Sequence, residues 1–335
     1  MLNEPIAKVE SGEDLTQEEM AAAIDLVMQG QCEEEQIRSL LLALVAKGET
    51  VPEIAGAASA MRAHMTPLEP TRQDLVDTCG TGGDGSGTFN ISTAAAIVAA
   101  GAGIAVAKHG NRKITSKTGS ADVLVELGVN IEAPVDVMQS ALNEVGICFC
   151  FAPLFHPAMR HVGPVRRSID VPTIFNLLGP LCNPARAPYQ VLGVGKPALR
   201  PRLAEALSLL DIKRAYVVCG SDGLDEITLA GNTDVTEVSP GVTSDTQWQP
   251  SMFGLAPTEL TGMDADNPAE SAERIKAILN GATGPGRDIV VINAAAAVSL
   301  AKPEWSLTEC TSAVQQSIDS GAANDVLRKF GEVTN

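Results

Sequence analysis

Residues 75–122 read LVDTCGTGGDGSGTFNISTAAAIVAAGAGIAVAKHGNRKITSKTGSAD, and this stretch decides the fold. An apolar opening runs from Leu75 to Cys79. Gly80, Gly82, Gly83, Gly85 and Gly87 then fall within eight residues, and an alanine-rich segment begins near Asn90 to Thr93. That order is strand, flexible turn, helix start. Glycine lets the backbone take positive φ and turn successive N–H groups toward one point, while a helix start adds unpaired donors and a partial positive charge. Such a turn favours an anion, most often a phosphate.

The charge pattern around the turn sharpens this. The chain carries a formal charge of −17, yet no Asp or Glu stands between Asp84 and Asp122, where Lys108, His109, Arg112, Lys113 and Lys117 lie. A long acid-free segment in an acidic chain reads as a pocket for a multiply charged anion. Gly80, Gly82 and Gly85 also match the spacing of a dinucleotide fingerprint, but the acid expected about 20 residues on is absent and Lys108 stands there instead. No Gly-Lys-Ser/Thr follows the glycines, so the nucleoside triphosphate loop fits no better.

Composition narrows the class. At 335 residues and 45% hydrophobic content the chain can fill one large domain and a smaller one. Its acidity opposes non-specific binding to nucleic acid or to an anionic membrane. Seven cysteines without a C-x-x-C pair argue against a disulfide framework or a zinc site and for a reducing compartment. The N-terminus lacks the basic start and apolar run of a signal peptide, and no apolar run reaches the roughly 20 residues of a membrane span. A cytoplasmic protein is expected.

Along the chain, Thr16-x-x-Glu19 and Thr50-x-x-Glu53 have the form of capping boxes, and Gly30 and Gly48 stand where helices should stop. Ile37, Leu40, Leu41, Leu44 and Val45 recur at helical spacing between them. Residues 1–70 therefore read as a small helical domain ending in a hinge-like linker with Pro67 and Pro70. From Leu75 onward short strands alternate with helices: 75–78, 104–108, 147–151, 190–194, 215–219 and 289–292 are the expected strands. Alternation of this kind means a doubly wound, mostly parallel α/β sheet over residues 71–335. Ligands in such sheets sit beyond the carboxyl ends of the strands. Residues 231–268 read as a short antiparallel extension with surface loops and no chemistry.

Two further segments invite chemistry. FAPLFHPAMRHVGPVRR, residues 151–167, holds no acid and carries His156, Arg160, His161, Arg166 and Arg167. The histidines lack metal-ligand partners at useful spacing, which leaves structural or substrate-lining roles open beside catalysis. An arginine fork matches a carboxylate bidentately. Asp222, Asp225 and Glu226 follow the strand ending at Cys219. Adjacent loop acids are usually only solvated. Beside a basic anion site they would hold Mg²⁺, which takes few protein oxygens plus substrate phosphates.

GTGGD at 80–84, NIST at 90–93, KHGNR at 108–112 and GSAD at 119–122 together resemble the anthranilate phosphoribosyltransferase family. The resemblance continues through FNLLGPLCNPA (175–185), DGLDEIT (222–228) and DIVVINAAAA (288–297), so it spans nearly the whole chain. It implies transfer of a phosphoribosyl group from 5-phosphoribosyl 1-diphosphate to anthranilate, with Mg²⁺, in a homodimer. It also implies that helices from about 158–183 join the N-terminal domain in space. By motif position it gives the sugar diphosphate to Gly80, Gly83, Asp84, Thr88, Asn90, Ile91, Ser92, Thr93, Lys108, His109, Gly110, Asn111, Arg112, Lys113, Ile114, Thr115, Ser116 and Ser120. It gives anthranilate to Gly80, Asn111 and Arg166, and metal to Ser92, Asp225 and Glu226. Ser120 has a competing reading as a plain helix N-cap.

Two rivals predict other features. Pyrimidine nucleoside phosphorylases carry a long glycine-rich phosphate signature that this chain lacks. A nucleic-acid-binding relative would need a basic surface and stacking aromatics, whereas aromatics make up only 3% here.

Overall fold

Local sequence signals set the first helices. The computed structural model describes residues 1–113 and 117–335; Ile114, Thr115 and Ser116 lie outside the described residues. Helices α1 (Asn3–Glu10), α2 (Gln17–Met28), α3 (Glu34–Lys47) and α4 (Val51–Ala63) open the chain. The first capping box forms as expected: Thr16 Oγ1 accepts the Glu19 N–H at 3.1 Å, and Glu19 accepts the Thr16 N–H at 2.8 Å. Glu53 accepts the Thr50 N–H at 2.8 Å and, fully buried, also the Leu15 N–H at 3.0 Å and the Lys47 ammonium at 3.0 Å. Gly48 follows α3 with φ 88°, a value that stops a helix without a Cβ penalty. The linker expected to act as a hinge is tied down by its backbone, since Thr66 N–H donates to Phe155 O and Leu68 N–H to Pro184 O.

Then the alternation begins: β1 (Val76–Gly80), α5 (Ile91–Gly101), β2 (Val106–Gly110), α6 (Ser120–Glu126), α7 (Val135–Glu144) and β3 (Ile147–Phe151). Short helices α8 (Ala152–Phe155), α9 (Gly163–Arg167) and α10 (Phe175–Leu178) lead to β4 (Tyr189–Gly193), α11 (Arg200–Ser208) and β5 (Arg214–Gly220). The hairpin β6 (Thr233–Ser239) and β7 (Val242–Trp248) precedes α12 (Pro268–Leu279), α13 (Pro285–Ala301), α14 (Leu307–Asp319) and α15 (Ala322–Thr334). The sheet order is β3-β2-β1-β4-β5-β6-β7. The first five strands pair in parallel and β6 and β7 antiparallel, so the doubly wound sheet and its antiparallel extension both appear.

One expected strand is a helix. Residues 289–292 lie inside α13, whose buried residues run from Ile289 to Leu300. A helix enclosed on every side is apolar all round, so its β-branched opening imitates a buried strand. Pro285 in the first turn and the alanines after Asn293 are what make it a 17-residue helix.

Alternate residues of the central strands feed two apolar clusters. Val191, Tyr216 and Val218 pack with α5 and α13, whereas Leu192, Ala215 and Val217 face α11 and the N-terminal helices. Val162, Val165, Ile174, Phe175 and Leu178 belong to the second cluster, together with Leu40, Leu44 and Ala58. Arg38 of α3 reaches the Ser168 carbonyl at 3.2 Å. The 158–183 helices therefore pack on the N-terminal ones.

Candidate functional site

The sheet reverses its direction of growth between β1 and β4, since β1 leads outward to β2 and β3 on one side and the chain returns to place β4 on the other. A crevice opens at that point beyond the strand ends. Gly80 and Gly193, the last residues of β1 and β4, are register partners there. Their missing side chains make room for Asp225. A Cβ on Gly80 would lie 2.6 Å from Asp225 Oδ2, and one on Gly193 would lie 1.7 Å from the Asp225 carbonyl oxygen.

From Gly80 the chain enters the glycine turn. Gly82, Gly83, Gly85 and Gly87 all have φ between 65° and 77°. Three of the turn's amides have protein partners of short reach: Thr81 N–H donates to Gly193 O at 2.8 Å, Gly82 N–H to Asp225 Oδ2 at 2.9 Å, and Ser86 N–H to Asp84 Oδ1 at 3.2 Å. The amides of Gly83, Asp84, Gly85 and Gly87 have none among the described residues. Four such donors on one short turn are able to receive anionic oxygens.

At the start of α5, Asn90 is clasped by Ser271 of α12, whose hydroxyl accepts the Asn90 N–H at 2.9 Å and donates to Asn90 Oδ1 at 3.0 Å. Ser92 Oγ accepts from Lys108 Nζ at 3.2 Å, and that ammonium also donates to the Thr78 carbonyl. Ile91 and Thr93 are buried, and the Thr93 hydroxyl has no hydrogen-bond partner among the described residues. Thr88 shares a hydrogen bond with Ser86 and bridges to Asp264. The segment expected to carry no chemistry thus walls the turn through Asp264.

Beside the turn the carboxylates crowd. Burial and the neighbouring Asp84 push the Asp225 carboxyl up to about 6. Burial and the neighbouring Asp225 push Glu226 up to about 8, against the pull of Lys108 and the Ser92 N–H. One oxygen of Asp84 is buried without a hydrogen-bond partner among the described residues. Lys108 is itself lowered by burial, with Asp77 and both acids of the pair opposing the shift. One ammonium is too little positive charge for three acids, so the arrangement suits a hard cation with oxygen ligands. No three His, Cys, Asp or Glu side chains among the described residues group as a ready metal cage.

The expected basic pocket is partly neutralised by contacts the sequence does not show. Arg112 pairs with Asp122 at 3.2 Å and Glu132 at 3.0 Å, and Lys117 pairs with Asp266. Asp122 also accepts the Lys113 N–H at 3.0 Å, while the Lys113 side chain is exposed and makes no ion pair among the described residues. Ser120 is not an N-cap: that position belongs to Gly119, and Ser120 Oγ donates to the Asn111 carbonyl at 3.4 Å. A Cβ on Gly110 would lie 2.4 Å from the Ser120 hydroxyl. Asn111 is exposed, its Oδ1 accepting the Arg112 N–H at 2.8 Å.

His109 and His156 form a buried pair. His109 Nδ1 lies 2.9 Å from the Gly179 carbonyl, so it carries the hydrogen, and its Nε2 lies 3.1 Å from His156 Nε2. Burial pushes His109 down to about 3 and His156 to about 4, so both rings are neutral. Arg166 sits half-buried on α9, its guanidinium 5.8 Å from the Phe175 ring centre, with no ion pair among the described residues. Its neighbour Arg167 is exposed.

Sequence reasoning missed Gly193, Ser271 and Asn293. Asn293, 3% exposed on α13, accepts the Ile227 N–H at 2.9 Å and donates to the Ile227 carbonyl at 3.0 Å. A single amide side chain inside the run IVVINAAAA was the available signal.

Comparison with known proteins adds to this geometry. Residues 3–65 match the family model described as glycosyl transferase family, helical bundle domain, and residues 72–324 match its a/b domain. Anthranilate phosphoribosyltransferase of Rhodopirellula baltica is 51% identical over 330 residues, covering 98% of this chain and 96% of that protein. The crystal structure of the enzyme of that name from Thermus thermophilus aligns with a TM-score of 0.91 at 41% identity, covering 98% of each chain. The Saccharomyces cerevisiae enzyme in complex with PRPP and Mg aligns with a TM-score of 0.89 at 29% identity, covering 99% of this chain and 98% of that one. In complex with 4-fluoroanthranilate it aligns at 0.87 and 29% identity, covering 99% and 97%.

Proposed function

From the premise that this chain belongs to the anthranilate phosphoribosyltransferase family, we propose how its own residues divide the reaction. The protein transfers the phosphoribosyl group of 5-phosphoribosyl 1-diphosphate to the amine of anthranilate, releasing diphosphate, in tryptophan biosynthesis, and it uses Mg²⁺. The observation that carries the division of labour is the run of unpartnered amides at Gly83, Asp84, Gly85 and Gly87 beside an acid pair that holds its protons unusually well.

In this reading the free amides, with the helix start at Asn90, Ile91, Ser92 and Thr93 and with Lys108, take the phosphate oxygens of the sugar. The segment from Lys108 to Lys113 and Ser120 borders the same substrate. Asp225, Glu226 and Ser92 hold the metal, and the raised affinity of both acids for protons supports a cation there. Bound Mg²⁺ supplies charge that stabilises the departing diphosphate. Arg166 receives the anthranilate carboxylate, supported by a half-buried guanidinium that no acid among the described residues engages, with Gly80 and Asn111 bordering the ring.

The chemistry is a displacement at C1 of the ribose. The amine nitrogen forms its bond to C1 as the C1–O bond breaks, the electron pair leaves with diphosphate, and the nitrogen, now cationic, releases one of its two protons to solvent. Fixed donors aimed at the departing oxygens lower the barrier, and holding both anions in one crevice supplies orientation. An arylamine is neutral at physiological pH, so no base is needed before attack.

Family membership also supports a homodimer through the N-terminal helices, and seven free cysteines suit a cytoplasmic location. Two units follow: residues 1–70 with the helices of 158–183, which carry Arg166, and residues 71–335, which carry the glycine turn. The reading is tested by mixing anthranilate, the sugar diphosphate and Mg²⁺ with the protein. Loss of anthranilate fluorescence that requires all three is the expected result, and persistent fluorescence rejects it.

A further inference from the structure

We propose that Asn293 is a positioning residue for the acid pair, acting through the backbone of Ile227; the inference rests on the reading that Asp225 and Glu226 hold the metal. The DIVVINAAAA segment has no role in the chemistry above, yet it is the part of α13 that passes directly behind the loop of 222–228. Among the described residues, the hydrogen bonds of Asn293 to that loop all go to Ile227. Its Oδ1 accepts the Ile227 N–H at 2.9 Å, and its Nδ2 donates both to the Ile227 carbonyl at 3.0 Å and to the Ile289 carbonyl at 2.9 Å.

This amide is committed in one orientation. Both hydrogens of Nδ2 face carbonyl oxygens and Oδ1 faces an N–H; rotating the group by half a turn would set its oxygen against two carbonyls. The side chain therefore reads Ile227 as a neighbouring strand would, taking donor and acceptor of one residue together. Ile227 is buried, so its two backbone groups have no solvent to fall back on. The residue before it is Glu226 and the one before that Asp225, so fixing Ile227 fixes where the acid pair leaves the backbone.

The surroundings fit a support rather than a contact. Asn293 lines a small cleft with Ser92, Glu226, Thr78 and Gly193, beneath the residues assigned to the metal and the sugar. The helix that carries it is enclosed along its length, packed on α5 and on β1 and β4. A rigid buried helix behind a loop is the kind of second layer that holds ligating carboxylates at a set position. A loop alone would let them relax away from their mutual repulsion.

The test uses the full chain and four forms: wild type, N293S, S299A and the double variant D225N/E226Q. Serine at 293 retains a hydroxyl for the Ile289 carbonyl but is too short to span Ile227. Ser299 is equally buried on the same helix, bonded to the Ala296 carbonyl and Tyr216, and serves as a packing control. Calorimetric titration of 5-phosphoribosyl 1-diphosphate across a Mg²⁺ series is the first readout, and KM for anthranilate the second. For N293S the Mg²⁺ concentration at half-saturation should rise at least tenfold, with anthranilate KM within twofold of wild type and S299A unchanged in both. Wild-type behaviour of N293S, an equal loss in N293S and S299A, or an equal loss toward both ligands would overturn the proposal. Indistinguishable Mg²⁺ dependence in D225N/E226Q would instead bring down the metal reading, and the inference with it. Should N293S fail to fold, amide exchange in unliganded wild type decides: the Ile227 N–H should exchange as slowly as the core of α13, and exchange at the rate of an exposed loop overturns the clamp.

Discussion

Asp225 Oδ2 accepts the backbone N–H of Gly82 at 2.9 Å, joining the acid pair after β5 to the glycine turn after β1 across 143 residues of chain. The same carboxylate occupies the space that a side chain at Gly80 would fill, and the Asp225 backbone carbonyl the space that one at Gly193 would fill. The loop of the acid pair and the glycine turn are thus one construction, and a change in either reaches the other.

Asp225→Asn with Glu226→Gln should depress turnover at limiting Mg²⁺ far more than it raises the KM for anthranilate. The unliganded protein should respond in the opposite sense. Both acids are raised, Asp225 to about 6 and Glu226 to about 8, so ionising them costs stability that is lost as pH rises through those values. The neutral amides should stabilise the protein at pH 9 by roughly 1–2 kcal/mol. Denaturant midpoints of the two forms at pH 5 and pH 9 check this, and a gap that does not widen with pH would count against it.

Glycine substitutions separate close approach from backbone conformation. Gly193→Ala places a Cβ 1.7 Å from the Asp225 carbonyl oxygen, a backbone atom that must move, so activity should fall at least a hundredfold and stability by about 3 kcal/mol. Gly82→Ala meets nothing within 4 Å but holds φ 65°, and should cost only about 1–2 kcal/mol. Unfolding curves and kcat on both variants decide the order.

Arg166→Ala should raise the KM for anthranilate at least tenfold and leave that for the sugar diphosphate within threefold. Having no acid partner among the described residues, the side chain leaves no orphaned charge on removal, so stability should change by less than about 1 kcal/mol. An unchanged anthranilate KM would reject the carboxylate assignment.

The histidine pair should make the protein acid-sensitive. His109 and His156 lie below the ordinary value, at about 3 and about 4, so the unfolded chain binds protons that the fold refuses. Their contribution is fully present above pH ~6.5 and lost as pH falls toward 4, at up to roughly 1.4 kcal/mol per pH unit for each ring. His156→Gln should flatten that slope by about one proton. Unfolding free energies measured from pH 7 to pH 4 test it, and an unaltered slope would sink the prediction.

In the N-terminal helices Glu53 is the vulnerable point. Glu53→Ala strands the Leu15 and Thr50 amides and removes one of two acids from Lys47, and should cost about 3 kcal/mol with kcat unchanged in the protein that remains folded. Glu53→Gln, which keeps an oxygen for the amides, should cost less. Thermal melts of both are the measurement.

The sequence by itself determined the turn, the helix starts and the alternation that makes a parallel sheet, because each is written in residues near one another: Gly80 to Gly87, Thr16 with Glu19, and the short apolar runs from Val76 to Cys219. It also marked Arg166, Asp225 and Glu226, through motif order. Only the tertiary structure decided that α13 is a helix, since full burial erases the amphipathic period that tells helix from strand. It alone assigned the charges of the acid-free segment, because Asp122, Glu132 and Asp266 reach Arg112 and Lys117 from other elements. The same holds for Gly193 beneath Asp225 and for Asn293 behind Ile227. Contacts between residues distant in the chain follow from which strand lies beside which, and that order is set by the packing of the whole core.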